Sequence, residues 1–364
     1  MADFVSRGKN RALSRRGAFF LTIMYTSLSA SWKGEQAFMV KDEVLCALEQ
    51  SRGTRLSGGQ LARELGVSRT AIWKAIEALR AEGILVESSQ GSGYCLLPED
   101  DSLTAAGVSA LLETETFGRD VLILAETGST NTAIKEDYAA SRAEGFTLIA
   151  HRQTAGRGRL GRGFSSPPGG GLYMSILLKP RLSLSKLNFI TFAAAVAVCR
   201  AIKALCGFQP QIKWVNDVLM EDKKLCGILT EAAVEGETGA VDYAVLGIGI
   251  NLRLDRQALP EDVRAVAGSL ADFSEHVPRR AQLAASVLWE LEQLYRVLNS
   301  GDTAPLFAEY RTLLCCLGKP VQVVTAADSY AAICEDINAQ GNLIVTRPNG
   351  QQEILSSGEI SIRL

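Results

Sequence analysis

The chain has few of the residues from which metal and redox centres are built. It contains only two histidines, His151 and His276, and its eight cysteines are scattered without a C-x-x-C pair. A structural zinc site usually draws its four ligands from such residues at short, regular spacings. The composition therefore argues against a zinc site, and we interpret the cysteines as small buried apolar residues in a reducing compartment.

A strong excess of charge of one sign is also missing. The sequence has 38 basic residues against 40 acidic ones. A protein without a strong overall field can attract DNA or phosphate only through a local patch. Any site for a polyanion must therefore be sought in particular stretches.

The first 38 residues contain no apolar run long enough to cross a bilayer. The run GAFFLTIMY follows Arg11, Arg15 and Arg16 and precedes the small residues TSLSA, an outline similar to a secretory signal peptide. Everything downstream is typical of nucleotide chemistry and DNA binding. We therefore expect residues 1–38 to be a disordered extension or a start assigned too far upstream, with a cytoplasmic folded protein beginning near Met39 and no membrane partner.

Residues 39–99 show three helical patterns followed by two short strands. Ser57 and Gln60 form the S-x-x-Q pattern of a capping box before the helix GQLARELG, and Ser68 is placed to cap the helix RTAIWKAIEALR. The strands ILVESS and YCLL are joined by the turn QGSG, which predicts a wing. The segment is therefore predicted to be a winged helix-turn-helix domain.

The third of these helices is predicted to have one buried and one exposed face. Ile72, Ile76 and Leu79 recur at i, i+4 and i+7 and should face inward. Such helices place their N-terminal residues at base edges. The predicted DNA-binding residues are Ser68, Arg69, Thr70, Trp73 and Lys74. A winged helix used only for protein contacts is the alternative, and Trp73 either stacks on the wing or fills the core.

A Gly-rich stretch, QTAGRGRLGRGF, carries the letters of a dinucleotide-binding fingerprint. Gly156, Gly158 and Gly161 match G-x-G-x-x-G after the strand-like TLIA. A dinucleotide fingerprint must open a helix so that backbone amides meet the pyrophosphate, and the following RGFSSPPGGG cannot be helical. A P-loop requires Lys and then Ser or Thr, where this chain has Arg162 and Gly163. Both readings fail.

We therefore predict a flexible loop between the strands FTLIA and LYMSILL. Its glycines allow close backbone approach, and the guanidinium groups of Arg157, Arg159 and Arg162 offer planar forks for carboxylate or phosphate oxygens. The loop is expected to close over a bound anion. A solvated basic loop without a ligand is the alternative.

Three further stretches suggest a ligand site. ETGSTNTA is predicted to form a junction between a strand and a helix, KWVNDVLMEDKKLCGILTE a polar corner and hairpin, and AVLGIGINL a strand whose Gly247 and Gly249 leave one face bare for something flat. Each has an ordinary explanation as a cap, a turn or tight packing. Taken together, they are far more specific, and the polar residues they contribute are Ser129, Thr130, Asn131, Asn216, Asp217 and Lys224.

The order of these motifs resembles the bifunctional biotin protein ligases that double as biotin operon repressors. The resemblance runs from about residue 40 to the end and includes GSTN, GRGR-x-GR, LYMS, KW-x-ND, KKLCGIL, GIGIN and a terminal GKPVQV…SSGEISIRL. It implies an α+β fold with a linker at 100–116, a mixed-sheet catalytic domain at 117–314 and a small SH3-like β-barrel at 315–364. The acidic, small-residue stretch LPEDDSLTAAG agrees with a boundary near residue 100.

The resemblance also implies a two-step reaction. Biotin and ATP form biotinoyl-5′-AMP, and a lysine of a biotin carboxyl carrier domain then takes the biotin. Mg²⁺ is expected with the ATP phosphates. Operator DNA of biotin genes and a ligand-promoted homodimer are the other implied partners. The alternatives are a lipoate-protein ligase and a ligand-sensing repressor without transfer activity.

Residue roles follow from the same resemblance. The implied catalytic residues are Lys224, Arg159, Arg157 and Asp217. The implied biotin-binding residues are Ser129, Thr130, Asn131, Gln153, Gly156, Arg157, Arg159, Tyr173, Lys224, Gly227 and Gly247. The implied nucleotide-binding residues are Arg159, Arg162, Phe164, Trp214, Asn216, Lys224, Asn251 and Arg363.

Three residues depart from the family's pattern. Val215 stands where KWPND has proline, which should make the corner less rigid with a small effect. Phe164 replaces a common tryptophan, although a phenyl ring can still stack. Cys226 replaces a frequent alanine, and we expect its size to alter affinity from beside the biotin pocket.

Overall fold

The structure is a computed structural model that describes residues 32–89, 91–235, 240–325, 328–356 and 359–362. Most of the predicted N-terminal extension, residues 1–31, lies outside the described residues, as does Arg363, one of the residues implied at the nucleotide.

The N-terminal unit is a three-helix bundle with a β-hairpin, which confirms the winged helix prediction. Its core consists of apolar side chains spaced for one helix face, among them Leu48, Leu61, Ile72, Ile76 and Leu79. Helix α1 begins before Met39. The elements are α1 Trp32–Gln50, α2 Gly58–Glu64, α3 Arg69–Ala81, β1 Val86–Ser89 and β2 Gly93–Leu96.

Both predicted helix caps form, but the capping box forms only by half. Ser57 Oγ accepts from the Gln60 amide at 3.0 Å, and Ser68 Oγ accepts from the Ala71 amide at 3.1 Å. The Gln60 side chain donates instead to Glu64 Oε1 at 3.0 Å. The predicted second half, in which the side-chain oxygen of Gln60 would accept from the backbone N–H of Ser57, is wrong. The Gln60 side chain turns instead toward the carboxylate at i+4 on the same exposed face.

The predicted linker contains a helix, α4 Ala105–Leu111, capped by Thr104. Val108 of this helix is fully buried in the main core. Ion pairs also tie the winged helix and the linker to the catalytic unit: Arg279 pairs with Glu49 of α1, and Arg280 lies 2.9 Å from Asp101. The winged helix unit is thus docked against the rest of the chain.

The central unit is built on a seven-stranded mixed sheet. The strand order is β3-β4-β5-β9-β8-β7-β6, with β3 and β4 parallel and every other neighbouring pair antiparallel. The strands are β3 Val121–Leu124, β4 Thr147–Ala150, β5 Gly171–Leu178, β6 Gln211–Lys213, β7 Asp217–Met220, β8 Lys223–Val234 and β9 Val241–Asn251.

Helices cover the two faces of this sheet unequally. Two long helices, α6 Asn188–Cys206 and α8 Arg280–Asn299, pack on one face and form the main core. The short α5 Thr130–Ala133, continued by a π-helical turn Ile134–Tyr138, lies on the other. Helix α6 is apolar and long enough to span a membrane by length and composition, but 72% of its apolar stretch is buried inside the protein, as in a core helix.

The C-terminal unit is a five-stranded antiparallel sheet in the order β13-β12-β11-β10-β14. This arrangement is compatible with the predicted SH3-like barrel. Trp214 Nε1 donates to the carbonyl of Gly341 at 3.0 Å and so joins this unit to the catalytic sheet. The remaining elements are α7 Glu261–Val266, α9 Ala304–Leu313, β10 Pro320–Val324, β11 Ser329–Ile337, β12 Leu343–Thr346, β13 Gln352–Leu355 and β14 Glu359–Ile362.

Candidate functional site

The floor of the site is the glycine-rich face of β8 and β9. Successive side chains of a strand point to opposite faces, so Leu246 and Ile248 enter the α6 core while Gly247 and Gly249 face the site. A Cβ at Gly249 would lie 2.5 Å from the Phe164 ring, and one at Gly247 would lie 2.3 Å from Asn131 Oδ1. In this structure the flat group against Gly249 is the Phe164 ring, and the group against Gly247 is the side-chain amide of Asn131.

A buried cluster of hydroxyl and amide groups forms one end of the site. Ser175 Oγ lies 2.6 Å from both Thr130 Oγ1 and Asn131 Oδ1, and Thr130 Oγ1 donates to Gln153 Oε1 at 3.1 Å. These three contacts require three protons, but the two hydroxyls carry one each and the amide oxygens carry none. The cluster is therefore rich in acceptors and suits a ligand that brings N–H donors.

Cationic side chains surround the other end of the site. Lys224 Nζ lies 2.8 Å from Asp217 Oδ1 at the β7–β8 hairpin, and Arg159 Nη1 donates to Asn216 Oδ1 at 3.2 Å. Arg157 and Arg162 line the same cleft. Cations outnumber carboxylates at this end, so the electrostatics favour a ligand with negative charge.

Glu231 of β8 is the carboxylate that connects the two ends. Its oxygens accept from Lys135 Nζ at 2.7 Å and Asn131 Nδ2 at 3.0 Å, and Arg157 Nη1 lies at 3.2 Å. Burial opposes the ionisation of Glu231, but the hydrogen bonds from Lys135 and Asn131 and the charge of Arg157 outweigh it and lower its pKa. Glu231 was not predicted from the sequence.

The arginine-glycine stretch is a loop, as predicted. It contains a single 3₁₀ turn, Arg159–Gly161, and no α-helix follows it before β5. Two backbone hydrogen bonds close its base, from Gly158 N to Arg162 O at 2.7 Å and from Phe164 N to Gly156 O at 2.8 Å. The exposed Leu160 at its tip has φ 55°, a left-handed conformation that costs free energy in a branched residue.

Most of the predicted ligand residues line one cleft. These are Ser129, Thr130, Asn131, Gln153, Arg157, Arg159, Arg162, Phe164, Trp214, Asn216, Asp217, Lys224, Gly227 and Gly247. The sequence reasoning missed Met174, Lys213, Ile228, Leu229 and Ile248, which also contribute to the lining, although Met174, Ile228 and Ile248 belong to the main core. Lys213 could have been found because it belongs to the KW-x-ND motif. The apolar residues carry no sequence signal that separates them from core residues.

Three predicted residues support the cleft from behind. The Tyr173 ring is buried edge-on against Phe164, and its hydroxyl donates to the Pro167 carbonyl at 3.0 Å. Asn251 Nδ2 donates to the carbonyls of Lys224 and Gly268. Gly156 packs against the backbone of Phe164, where a Cβ would lie 2.3 Å from the carbonyl oxygen.

The expectation for Cys226 is wrong. Its side chain is fully buried in the core on the α6 side of β8 and does not line the cleft. The alternation of the strand causes this, because the neighbouring Gly227 faces the site. Burial also raises the pKa of the Cys226 thiol well above its usual value, so the group stays neutral.

The predicted DNA-binding side chains share the exposed surface of α3. Ser68, Arg69, Thr70 and Lys74 are exposed, and Trp73 is 53% exposed, which rules out its role as core filler. An exposed indole beside basic residues suits a contact with bases or with sugar edges. Within the described ranges, no group of three or more His, Cys, Asp or Glu side chains could hold a metal ion.

Comparisons with known proteins match all three units. The "Biotin/lipoate A/B protein ligase family" matches residues 124–251, an "HTH domain" matches 41–95, and the "Biotin protein ligase C terminal domain" matches 316–363. The bifunctional ligase/repressor BirA of Bacillus subtilis (strain 168) is 31% identical over 318 residues, covering 87% of this chain and 97% of the relative.

Two further relatives agree with these matches. BirA of Escherichia coli (strain K12) is 30% identical over 307 residues, covering 84% of this chain and 92% of the relative. The solved structure of the biotin protein ligase from Aquifex aeolicus in complex with biotin and ATP superposes with a TM-score of 0.58 at 26% identity. The superposition covers 67% of this chain and 99% of the Aquifex aeolicus chain.

Proposed function

We infer the function of this chain from one premise: it belongs to the biotin protein ligase family, with bifunctional ligase/repressors among its relatives. It is an ATP-dependent biotin protein ligase that also carries a repressor-type winged helix. The observation that carries this function is the single cleft in which an acceptor-rich end meets a cationic end. A ureido ring supplies N–H donors, and a carboxylate and phosphates supply negative charge.

We propose that the biotin head group binds at the acceptor-rich end. Its N–H groups would meet the oxygens of the cluster formed by Thr130, Ser175 and Gln153, which has more acceptors than protons. Ser129 is buried beside this cluster and lines the cleft. The carboxyl end would then point toward Lys224 and Arg157.

The first step joins two anions, and its barrier falls when fixed cations neutralise them. A biotin carboxylate oxygen attacks the α-phosphorus, the bond from that phosphorus to the bridging oxygen breaks, and pyrophosphate leaves with the electron pair. We propose that Lys224, Arg157 and Arg159 stabilise the charge that develops in this transition state. Arg162, Phe164, Trp214 and Asn216, with Asn251 behind them, would form the nucleotide side, and the role of Arg363 stays a prediction.

The second step transfers the biotinoyl group to a lysine, which we propose belongs to a biotin carboxyl carrier domain. The neutral amine attacks the carbonyl carbon, the bond to the phosphate oxygen breaks, and AMP leaves. The amine must lose a proton, and we propose that Asp217, a carboxylate that lines the cleft, accepts this proton or orients the amine. Its pairing with Lys224 keeps this carboxylate and the cation together at the reacting end.

ATP is expected to enter as its magnesium complex. The described part of the cleft contributes Asp217 and few other hard oxygen ligands, which fits an ion held mainly by phosphates and water. The protein's own residues would orient the phosphates.

We also propose a biotin-responsive role at DNA in the cytoplasm. Two winged helices of a ligand-promoted homodimer would bind the two half-sites of an operator, each through the exposed face of α3. The linkage is reciprocal, so a ligand that orders the loops tightens the dimer and the dimer tightens the ligand. A gel shift of an operator fragment should respond to biotin plus ATP, and a shift insensitive to both would refute the coupling.

The decisive test of the ligase function is biotinylation of a purified carrier domain. Pyrophosphate release with biotin and ATP, followed by labelling of one carrier lysine, is the expected result. Lipoate as the only productive acid would indicate a lipoate-protein ligase. Ligand binding without labelling would indicate a sensing repressor.

A further inference from the structure

Glu231 is a charged residue at the site to which the proposed chemistry gives no role. It lies on β8, four residues beyond Gly227, and points to the same face as the glycine floor. Its side chain is 20% exposed and takes contacts from Lys135, Asn131 and Arg157. Two of these three partners line the ligand cleft.

The contact with Arg157 is the contact of Glu231 for which an anionic ligand in the cleft would compete, because Arg157 also lines the cleft. The Arg157 side chain is 47% exposed, and within the described residues its only other polar side-chain contact is a 3.5 Å approach to Thr132 Oγ1. An anion that enters the cleft competes with Glu231 for this guanidinium. A half-exposed ion pair is weak, so the exchange is accessible without unfolding the loop.

Lys135 keeps Glu231 paired during that exchange. Its Nζ lies 2.7 Å from Glu231 Oε1, the same oxygen that Arg157 approaches. When Arg157 turns to a ligand, Lys135 remains as a counter-ion, so the carboxylate is not left as an uncompensated charge. The hydrogen bond from Asn131 fixes the second oxygen in place.

We propose that Glu231 is a positioning residue that acts through Arg157: it holds the guanidinium in the ligand-free protein and yields it to the carboxylate of the ligand, while Lys135 keeps Glu231 paired. This inference rests on the proposed function, because it takes the biotin carboxylate as the competing anion. Glu231 thus has two effects: it weakens anion binding by holding Arg157, and it supports Asn131 in a way that does not depend on the charge of the ligand.

The two effects can be separated with a charged and an uncharged ligand. Biotin and biotinamide, its primary amide, share the ureido ring and the side chain, and only biotin carries the carboxylate. Calorimetry without ATP gives the dissociation constant of each, and the ratio of biotinamide to biotin dissociation constants reports the contribution of the carboxylate. Glu231→Gln should raise this ratio about two- to fivefold, because Arg157 is released.

A second variant should change the ratio of dissociation constants in the opposite direction. Lys135→Met removes the competing cation and leaves Glu231 with Arg157 as its cationic partner, so the ratio should fall by a similar factor. In an Arg157→Gln background, Glu231→Gln should leave the ratio unchanged, because the group through which it acts is gone.

Two results would overturn the proposal, and a third would count against the proposed function instead. Equal changes in biotin and biotinamide affinity in Glu231→Gln would overturn the proposal and leave Glu231 a support of Asn131 only. A ratio that still changes in the Arg157→Gln background would overturn it as well. A wild-type protein that binds neither compound would instead count against the proposed function, which distinguishes the two failures.

Discussion

Gly247→Ala tests whether the acceptor-rich end of the cleft depends on one missing side chain. A Cβ at this position would lie 2.3 Å from Asn131 Oδ1 and 3.0 Å from its Cγ, whereas ordinary contacts begin at 3.4 Å. The backbone of β9 cannot yield, since it is paired on both sides with β5 and β8. The Asn131 side chain must therefore retreat by about 1 Å, because steric overlap of this size is not tolerated in a packed interior.

The cost follows from the hydrogen bonds that Asn131 makes. Ser175 Oγ lies 2.6 Å from its amide oxygen, and its amide nitrogen donates to Glu231 Oε2 at 3.0 Å and to Leu229 O at 3.3 Å. A neutral hydrogen bond contributes about 1 kcal/mol and one to a charged group about 1.5–3 kcal/mol. Losing one of each should lower the free energy of unfolding by roughly 2–4 kcal/mol.

Ligand binding should weaken in parallel. If displacement of the Asn131 amide weakens the binding free energy of biotin by about 1.4 kcal/mol, the biotin dissociation constant rises about tenfold. Urea unfolding and calorimetry with biotin measure the two effects. Gly128→Ala is the matched control, because a Cβ there meets nothing within 4 Å and the residue adjoins Ser129 of the same corner. Native affinity in Gly247→Ala, or an equal loss in Gly128→Ala, would refute the reasoning.

Three further predictions address the loop, the proposed DNA-binding face and the pH dependence of stability. Arg159→Gly removes the guanidinium that reaches Asn216 at 3.2 Å, so the adenylate should leave early and label bystander lysines; unchanged retention on a desalting column would remove Arg159 from the site. Trp73→Ala, at a 53% exposed position, should change unfolding free energy by less than about 0.5 kcal/mol but weaken operator binding about tenfold in gel shifts, and a matched loss of stability would contradict a DNA role. Burial and the neighbouring charge of Arg280 lower the pKa of His151 below 6.5, so stability should fall as pH drops through the unfolded-state pKa; urea midpoints at about pH 8 and about pH 5.5 should show a smaller loss in His151→Gln, and an equal loss would exclude His151 as the cause.

Local sequence patterns were sufficient to predict features that depend on contacts within a single helix or loop. The spacing of Ile72, Ile76 and Leu79 predicted the buried face of α3, and Ser68 predicted its start, because helix periodicity and capping are short-range effects. The proline- and glycine-rich stretch after Gly161 excluded a dinucleotide helix for the same reason. The capping box failed at Gln60, where two local partners compete and the sequence does not state which one prevails.

Contacts between segments that are distant in the sequence could not be predicted from local patterns. Glu231 lies roughly 70 to 100 residues from Arg157, Lys135 and Asn131, and no periodicity joins them. The position of Cys226 was predicted from its neighbours in a motif, but which face of β8 it occupies depends on the register of the sheet.

The sequence by itself determined the order of the units, the loop and most residues of the cleft, because the motifs and their spacing carry that information. Only the tertiary structure decided that the Phe164 ring lies on the bare glycine face, that Asp217 pairs with Lys224, and that Glu231 holds Arg157. The physical reason is that ion pairs and ring contacts depend on a few ångströms between strands. The packing of the sheet sets those distances, and the order of residues does not.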